Sequence, residues 1–212
     1  VKKLVISIPE YDAELFNLLS RLYELMEVSK DTVEITSHLD SGLYYIFNQP
    51  HEIWNNSVAL YDYSNDGLIY YRIDVTRNEE PQLIQVTRED YSSVMSLSKY
   101  GTDVYQMDLD FAHLAETELK KAYISAVFLT GIGFTNKWMK RSTDVLCAGR
   151  RVFAGQNIYT KGACYRAVGG EYAEFYQDYF VNTKENVTND IGITLGDEDD
   201  TFVPIIRGGS QW

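Results

Sequence analysis

The stretch Ile124-Ser125-Ala126-Val127-Phe128-Leu129-Thr130-Gly131-Ile132-Gly133-Phe134 decides the fold. Six apolar or small residues in a row, closed by a glycine turn, predict a strand covered on both faces. Beyond it, Trp138, Met139, Ser142, Val145 and Leu146 recur at helical spacing, and Gly149 stands where a helix stop belongs. Residues 150–153 give a short strand, and Asn157 opens a last helix whose Gly162, Ala163 and Ala167 form a small-residue face suited to lie close on a sheet. The segment 122–169 therefore reads as strand, helix, strand, helix.

Upstream of this unit, Asp108 or Asp110 is expected to cap a helix that turns Phe111, Leu114, Ala115, Leu119 and Ala122 inward, after a loop over 91–103. Residues 57–63, 68–75 and 82–87 are strand candidates. Ser64-Asn65-Asp66-Gly67 and Asn78-Glu79-Glu80-Pro81 are the turns between them, so an antiparallel meander precedes the central unit. At the start, residues 4–8 and 32–36 are strands, each followed by a helix. The first carries Leu15, Leu18, Leu19, Leu22, Leu25 and Met26 on its inward side, and the second is opened by Ser37 and closed before Pro50. Downstream, Gly169-Gly170 is a hinge signal and Tyr172, Phe175, Tyr176, Tyr179 and Phe180 form an aromatic cluster. Strands over 189–195 and 202–207 flank an acidic turn, 196–200.

Composition narrows the function classes. The chain has 212 residues, 45% hydrophobic and 24% charged, enough for one large core or two modest ones. A formal charge of -12 repels phosphate backbones and anionic lipid, so neither nucleic acid nor membrane is an expected partner. No apolar run reaches the roughly 20 residues of a membrane span. Two cysteines, Cys147 and Cys164, lack metal-ligand spacing and are expected as buried free thiols, which suits the cytoplasm. The first residue is not Met, so the sequence is expected to be a piece of a longer chain or to have lost its initiator.

Three meander strands followed by helix, strand, helix, strand, helix is the order of a ribonuclease-H-like mixed sheet with helices on both faces, an α/β class. In that order, four segments resemble the actin-like ATPase superfamily of DnaK-type chaperones, sugar kinases and actin. Leu4-Val5-Ile6-Ser7-Ile8-Pro9 is similar to the late strand of the first lobe, and Val58-Ala59-Leu60-Tyr61-Asp62-Tyr63 to the strand opening the second. Val127-Phe128-Leu129-Thr130-Gly131-Ile132-Gly133 is similar to the adenosine-side turn, and residues 157–163 to the closing helix. Within the superfamily the segments 49–54 and 149–153 resemble an uncharacterised bacterial group. The resemblance implies three parts: 1–53 as the second half of a first lobe, 54–169 as a second ribonuclease-H-like lobe, and 170–212 as an accessory segment. It also implies that strands carrying the first phosphate loop precede Val1.

For the site, the resemblance implies ATP with magnesium, held by Asp62, Ser64, Asn65, Gly131 and Gly133. The residues depart from the pattern. Where active members place glycines whose bare backbone N–H groups meet a phosphate, this chain has Tyr63-Ser64-Asn65-Asp66, which adds bulk and negative charge. Ile132 and Phe134 add bulk around the second turn. The expectation is a noncatalytic, degenerate module for protein interaction or scaffolding, chaperone-related, with no cofactor. The alternative is an ATP-binding chaperone-like ATPase when the upstream lobe is present. A third class, a two-metal nuclease, would need Asp62, Asp74, Asp108 and Glu118 to converge; turn and surface positions are the plainer expectation. His38, His51 and His113 are expected in caps, loops and solvated faces.

Overall fold

A computed structural model describes residues 3–76, 82–135, 137–168, 179–182, 187, 189–195 and 201–206. Its strands are β1 (Leu4–Ile8), β2 (Val33–Ser37), β3 (Ser57–Ser64), β4 (Gly67–Thr76), β5 (Gln82–Asp90), β6 (Ile124–Thr130), β7 (Arg151–Ala154), β8 (Tyr179–Asn182), β9 (Ile191–Leu195) and β10 (Thr201–Ile206). Its helices are α1 (Ala13–Leu25), α2 (His38–Phe47), α3 (Leu97–Tyr100), α4 (Val104–Leu119), α5 (Arg141–Leu146) and α6 (Ile158–Val168). The predicted turn at 78–81, the Gly169-Gly170 hinge, Tyr172, Phe175, Tyr176 and the acidic turn at 196–200 lie outside the described residues.

The fold is α/β, organised on a mixed sheet with strand order β7-β6-β3-β4-β5-β8. The meander is there: β3 pairs antiparallel with β4, and β4 with β5. As the central stretch predicts, β6 lies parallel beside β3, with Ala59 opposite Val127 and Tyr61 opposite Leu129. Side chains alternate between two cores. Ala59, Tyr61, Tyr63, Val127 and Leu129 face Phe111 and Ala115 of α4 together with Leu146 of α5. Val58, Leu60, Ala126 and Phe128 face Leu43 and Ile46 of α2 and Ile158 of α6. Helices on both faces explain the unbroken apolar runs, since neither side of these strands meets water. Gly67 closes the Asn65-Asp66 hairpin at φ +131, and a Cβ there would lie 2.4 Å from Ser92, so the turn accepts only glycine.

Several local expectations need correction. α4 starts at Asp103, whose carboxylate accepts from the Gln106 N–H at 3.0 Å, and not at Asp108 or Asp110. Its first turn presents Val104 and Tyr105 to solvent, so the apolar period gave no sign of it. The segment 91–103 is not all loop, because it contains α3, with Tyr100 buried. α5 is shorter than expected: Trp138 precedes it, buried and donating its indole N–H to the Gly133 carbonyl at 2.7 Å. β2 begins one residue later than predicted, because Thr32 closes a 3-10 turn through its N–H and hydroxyl on the Ser29 carbonyl.

The first fifty residues form β1 and β2 as a parallel pair in a sheet of their own, with both following helices capped as the sequence suggests. Asp12 accepts from Leu15 N–H at 2.8 Å, and Ser37 from Asp40 N–H at 3.0 Å. The inward face expected of α1 is not inward. Leu18, Leu22, Leu25 and Met26 are exposed, and only Tyr23 of this helix is buried, because two strands offer too narrow a surface to cover it. α6 does lie against a strand, β1, but its closest approach is to α2, where a Cβ on Gly162 would come 1.7 Å from the Ser41 carbonyl oxygen. Cys147 and Cys164 are both exposed, not buried: Cys147 follows the last residue of α5, and the inward positions of α6 are Ile158, Gly162 and Ala163. β9 and β10 form a separate antiparallel pair. Among the described residues no helix is long and apolar enough to cross a membrane.

Candidate functional site

β1, β3, β5 and β6 end on the same side, and their carboxyl ends open into a cleft of about 860 Å³. Carboxyl ends of strands are where α/β sheets usually place ligands. The loop after β1 contributes Glu10, Tyr11 and Asp12; the β3–β4 hairpin gives Asp62, Ser64 and Asp66; the β5 end gives Arg88 and Asp90. The turn after β6 adds Thr130 and Gly131, and the starts of α2 and α6 add His38, Gln156 and Tyr159.

Asp62 lines the cleft and is half-buried. The Tyr159 hydroxyl donates to its Oδ2 at 2.6 Å. Burial raises the Asp62 pKa above the ordinary carboxylate range, and the Tyr159 hydrogen bond only partly opposes that. Burial, then the adjacent Asp62 charge, pushes the Tyr159 phenol well above its usual value, so it stays a donor. The His38 ring stacks on Tyr159 with centroids 4.3 Å apart and planes 15° from parallel, and burial lowers its pKa, which keeps it neutral. Gly131, at φ +97, brings the turn so near that a Cβ would lie 2.4 Å from the Tyr63 carbonyl oxygen and 2.8 Å from Asp62 Oδ1. Gln156 fixes that turn by donating to the Gly131 carbonyl at 2.8 Å.

Of the five residues predicted for a phosphate site, Asp62, Ser64 and Gly131 line the cleft. Asn65 does not: it is exposed at the hairpin tip. Gly133 does not either, being buried beneath the Tyr63 ring, where a Cβ would meet the ring at 2.4 Å. The predicted bulk is also elsewhere. Tyr63 points away from the cleft into the α4 core, where it packs edge-on to Phe134 and Trp138, because neighbours along a strand face opposite sides. Ile132 is exposed and Phe134 packs on Tyr63, so neither narrows the cleft. Asp66 does line it.

The four carboxylates of the nuclease alternative have separate surroundings. Asp74 holds Arg72 at 2.9 Å and accepts from the Ser57 hydroxyl at 2.5 Å. Asp108 is not a surface group: 5% exposed, it accepts from the N–H groups of Lys140, Arg141 and Ser142 and from the Ser142 hydroxyl. Burial alone would raise its pKa, but those four hydrogen bonds outweigh it and hold the carboxyl below the ordinary range. Glu118, also buried, accepts from Tyr91 and pairs with Lys121 at 2.6 Å. Among the described residues no three His, Cys, Asp or Glu side chains are placed to hold a metal ion.

Sequence reasoning missed Arg88, His38, Gln156 and Tyr159. These come from three different elements and one loop, and Tyr159 is 97 residues from Asp62, so no spacing along the chain announces them. His38 was expected in a solvated cap; it opens α2 as expected but is half-buried in the cleft.

A comparison with curated proteins gives no match. Residues 1–184 match a family described as "Family of unknown function (DUF5716) C-terminal". That stretch is most of the 212 residues and includes every side chain of the cleft, so the chain belongs to the DUF5716 C-terminal family.

Proposed function

We propose that this chain is a noncatalytic, degenerate actin-like ATPase module used for protein interaction or scaffolding, chaperone-related and cytoplasmic. In this reading residues 54–169 are a ribonuclease-H-like lobe, residues 1–53 belong to a preceding lobe, and 170–212 are accessory. The strand order β5-β4-β3-β6-β7, an antiparallel meander extended by two parallel strands, supports the fold assignment.

One observation carries the loss of catalysis: the charge of the cleft. Glu10, Asp12, Asp62, Asp66 and Asp90 line it against a single arginine, Arg88, which lies 3.5 Å from Glu10 and 3.3 Å from Asp90. Phosphoryl transfer needs donors and cations gathered on the phosphate oxygens. The hairpin after Asp62 instead offers a carboxylate, Asp66, and Asp62 itself is hydrogen-bonded to Tyr159. The test is phosphate release from residues 1–212 with magnesium ATP, beside Asp62→Ala. No release above background is expected. Turnover that the substitution abolishes would replace this reading by an ATP-dependent, chaperone-like ATPase.

A further inference from the structure

We infer that the cleft at the ends of β3 and β6 is a binding site for an organic cation, a guanidinium or alkylammonium group, seated on the outer oxygen of Asp62. The inference deepens the interaction-module reading and rests on it in one respect: the cleft is not occupied by nucleotide.

Charge is the first argument. Arg88 is balanced between Glu10 and Asp90, and Asp12 is engaged by the first turn of α1. Asp62 and Asp66 remain without a cation among the described residues. His38 supplies none, because burial favours its neutral form.

The two oxygens of Asp62 are the second argument. Oδ2 accepts from Tyr159, while no described group donates to Oδ1, which lies beside the Gly131 turn. A half-buried carboxylate with one protein donor keeps an oxygen open to a further donor. A guanidinium or ammonium brings both the missing donors and the opposite charge. The third argument is the wall. Tyr11, Tyr71 and Tyr159 line the same cleft, and their apolar surface beside the carboxylates suits the methylene stem of an arginine, a lysine or a polyamine. A volume of about 860 Å³ takes a long side chain with its flanking backbone, or a free polyamine.

The two sources share one chemistry and are separated by the probes. Residues 1–212 are titrated calorimetrically with an acetylated Gly-Arg-Gly-Arg-Gly peptide and, separately, with spermidine, at low and at physiological salt. Asp62→Asn is compared with Glu24→Gln, an exposed position on α1, and thermal melting checks that both variants are folded. Saturable binding that Asp62→Asn weakens by about tenfold or more, with Glu24→Gln unchanged, supports the site. Preference for the peptide assigns the cation to a partner protein; preference for spermidine assigns it to a free polyamine. Absence of binding, or equal weakening by both substitutions, overturns the inference. Neither result depends on ATP turnover, which alone decides the reading above.

Discussion

Gly162 lies in the middle of α6, where α6 crosses α2, and replacing it by alanine sets two effects of opposite sign against each other. In an open helix the substitution would stabilise by about 1 kcal/mol, because alanine has the higher helix propensity. Here the added Cβ would lie 1.7 Å from the Ser41 carbonyl oxygen, 2.6 Å from its carbon and 3.1 Å from its Cα. All three are backbone atoms, so no side-chain rotation relieves the contact. An ordinary carbon to oxygen contact is about 3.3 Å. The helices must therefore separate by roughly 1.5 Å, and a gap of even 0.5–1 Å forfeits about a quarter to a half of the dispersion attraction across it. Overpacking of this kind costs about 1–3 kcal/mol. The contact wins: Gly162→Ala should destabilise by about 2 kcal/mol, and Gly162→Leu by more. For a chain of this size that lowers the melting midpoint by about 4–8 °C. Urea unfolding and thermal melting measure it, with Gly149→Ala as the comparison. Gly149 sits at φ +72 with open space around its Cβ position, so its cost is conformational only, about 1 kcal/mol. If Gly162→Ala instead stabilises the chain, α2 and α6 are not in backbone contact and the reasoning fails.

Asp108, which is buried, and Asp62, which is half-buried, should respond to pH in opposite senses. Asp108 has a folded-state pKa held down by its four donors, so its stabilisation is present above the unfolded value, about 4, and is lost as pH falls through the folded value. Asp108→Asn should cost about 2–3 kcal/mol at pH 7, and progressively less as the wild-type carboxyl is protonated; a cost independent of pH between 2.5 and 7 would refute it. Asp62 has a raised folded-state pKa, so its ionised form weakens the fold once pH passes the unfolded value. Asp62→Asn, which still accepts from Tyr159, should match wild type near pH 3 and exceed it by up to about 1 kcal/mol at pH 7. Denaturant midpoints across that range decide, and a destabilised Asp62→Asn at pH 7 would show a donor to Asp62 that the structure lacks.

How much of this was legible depended on whether neighbours in sequence were also neighbours in space. β3 and β6 announced themselves because strands buried on both faces are written as continuous apolar runs, and the hairpin at Asn65-Asp66 because Gly67 can adopt φ +131. The period of α1 was equally plain, yet it misled: amphipathicity says that a face needs a partner, and Leu18, Leu22 and Leu25 are exposed all the same. Asp108 misled in the converse way. As a cap-type residue before an apolar run it looked like the start of its own helix, whereas it caps the one that begins 33 residues later. Nothing local separates the two roles.

The cleft was half legible for the same reason. Asp62, Ser64 and Gly131 sit where strands end in turns, a place that sequence marks well. The groups around Asp62 arrive through tertiary contact: Tyr159 from α6 donates to it, His38 from α2 stacks on Tyr159, and Arg88 from β5 lines the same cleft. They also change what the aspartate means. Asp108 is explained by the fold, because four donors make a buried carboxylate stabilising there. Asp62 has one donor and a burial that works against its charge, and an asparagine would keep the Tyr159 hydrogen bond without that cost. Folding alone therefore does not favour a carboxylate at this position. A locally unfavourable charge at the carboxyl end of a central strand, facing a cleft with acidic and aromatic walls, is what a binding role of the kind proposed above would require. The charge gains its use when a cation enters, and the same charge that opposes an ATP phosphate there attracts a guanidinium or an ammonium group.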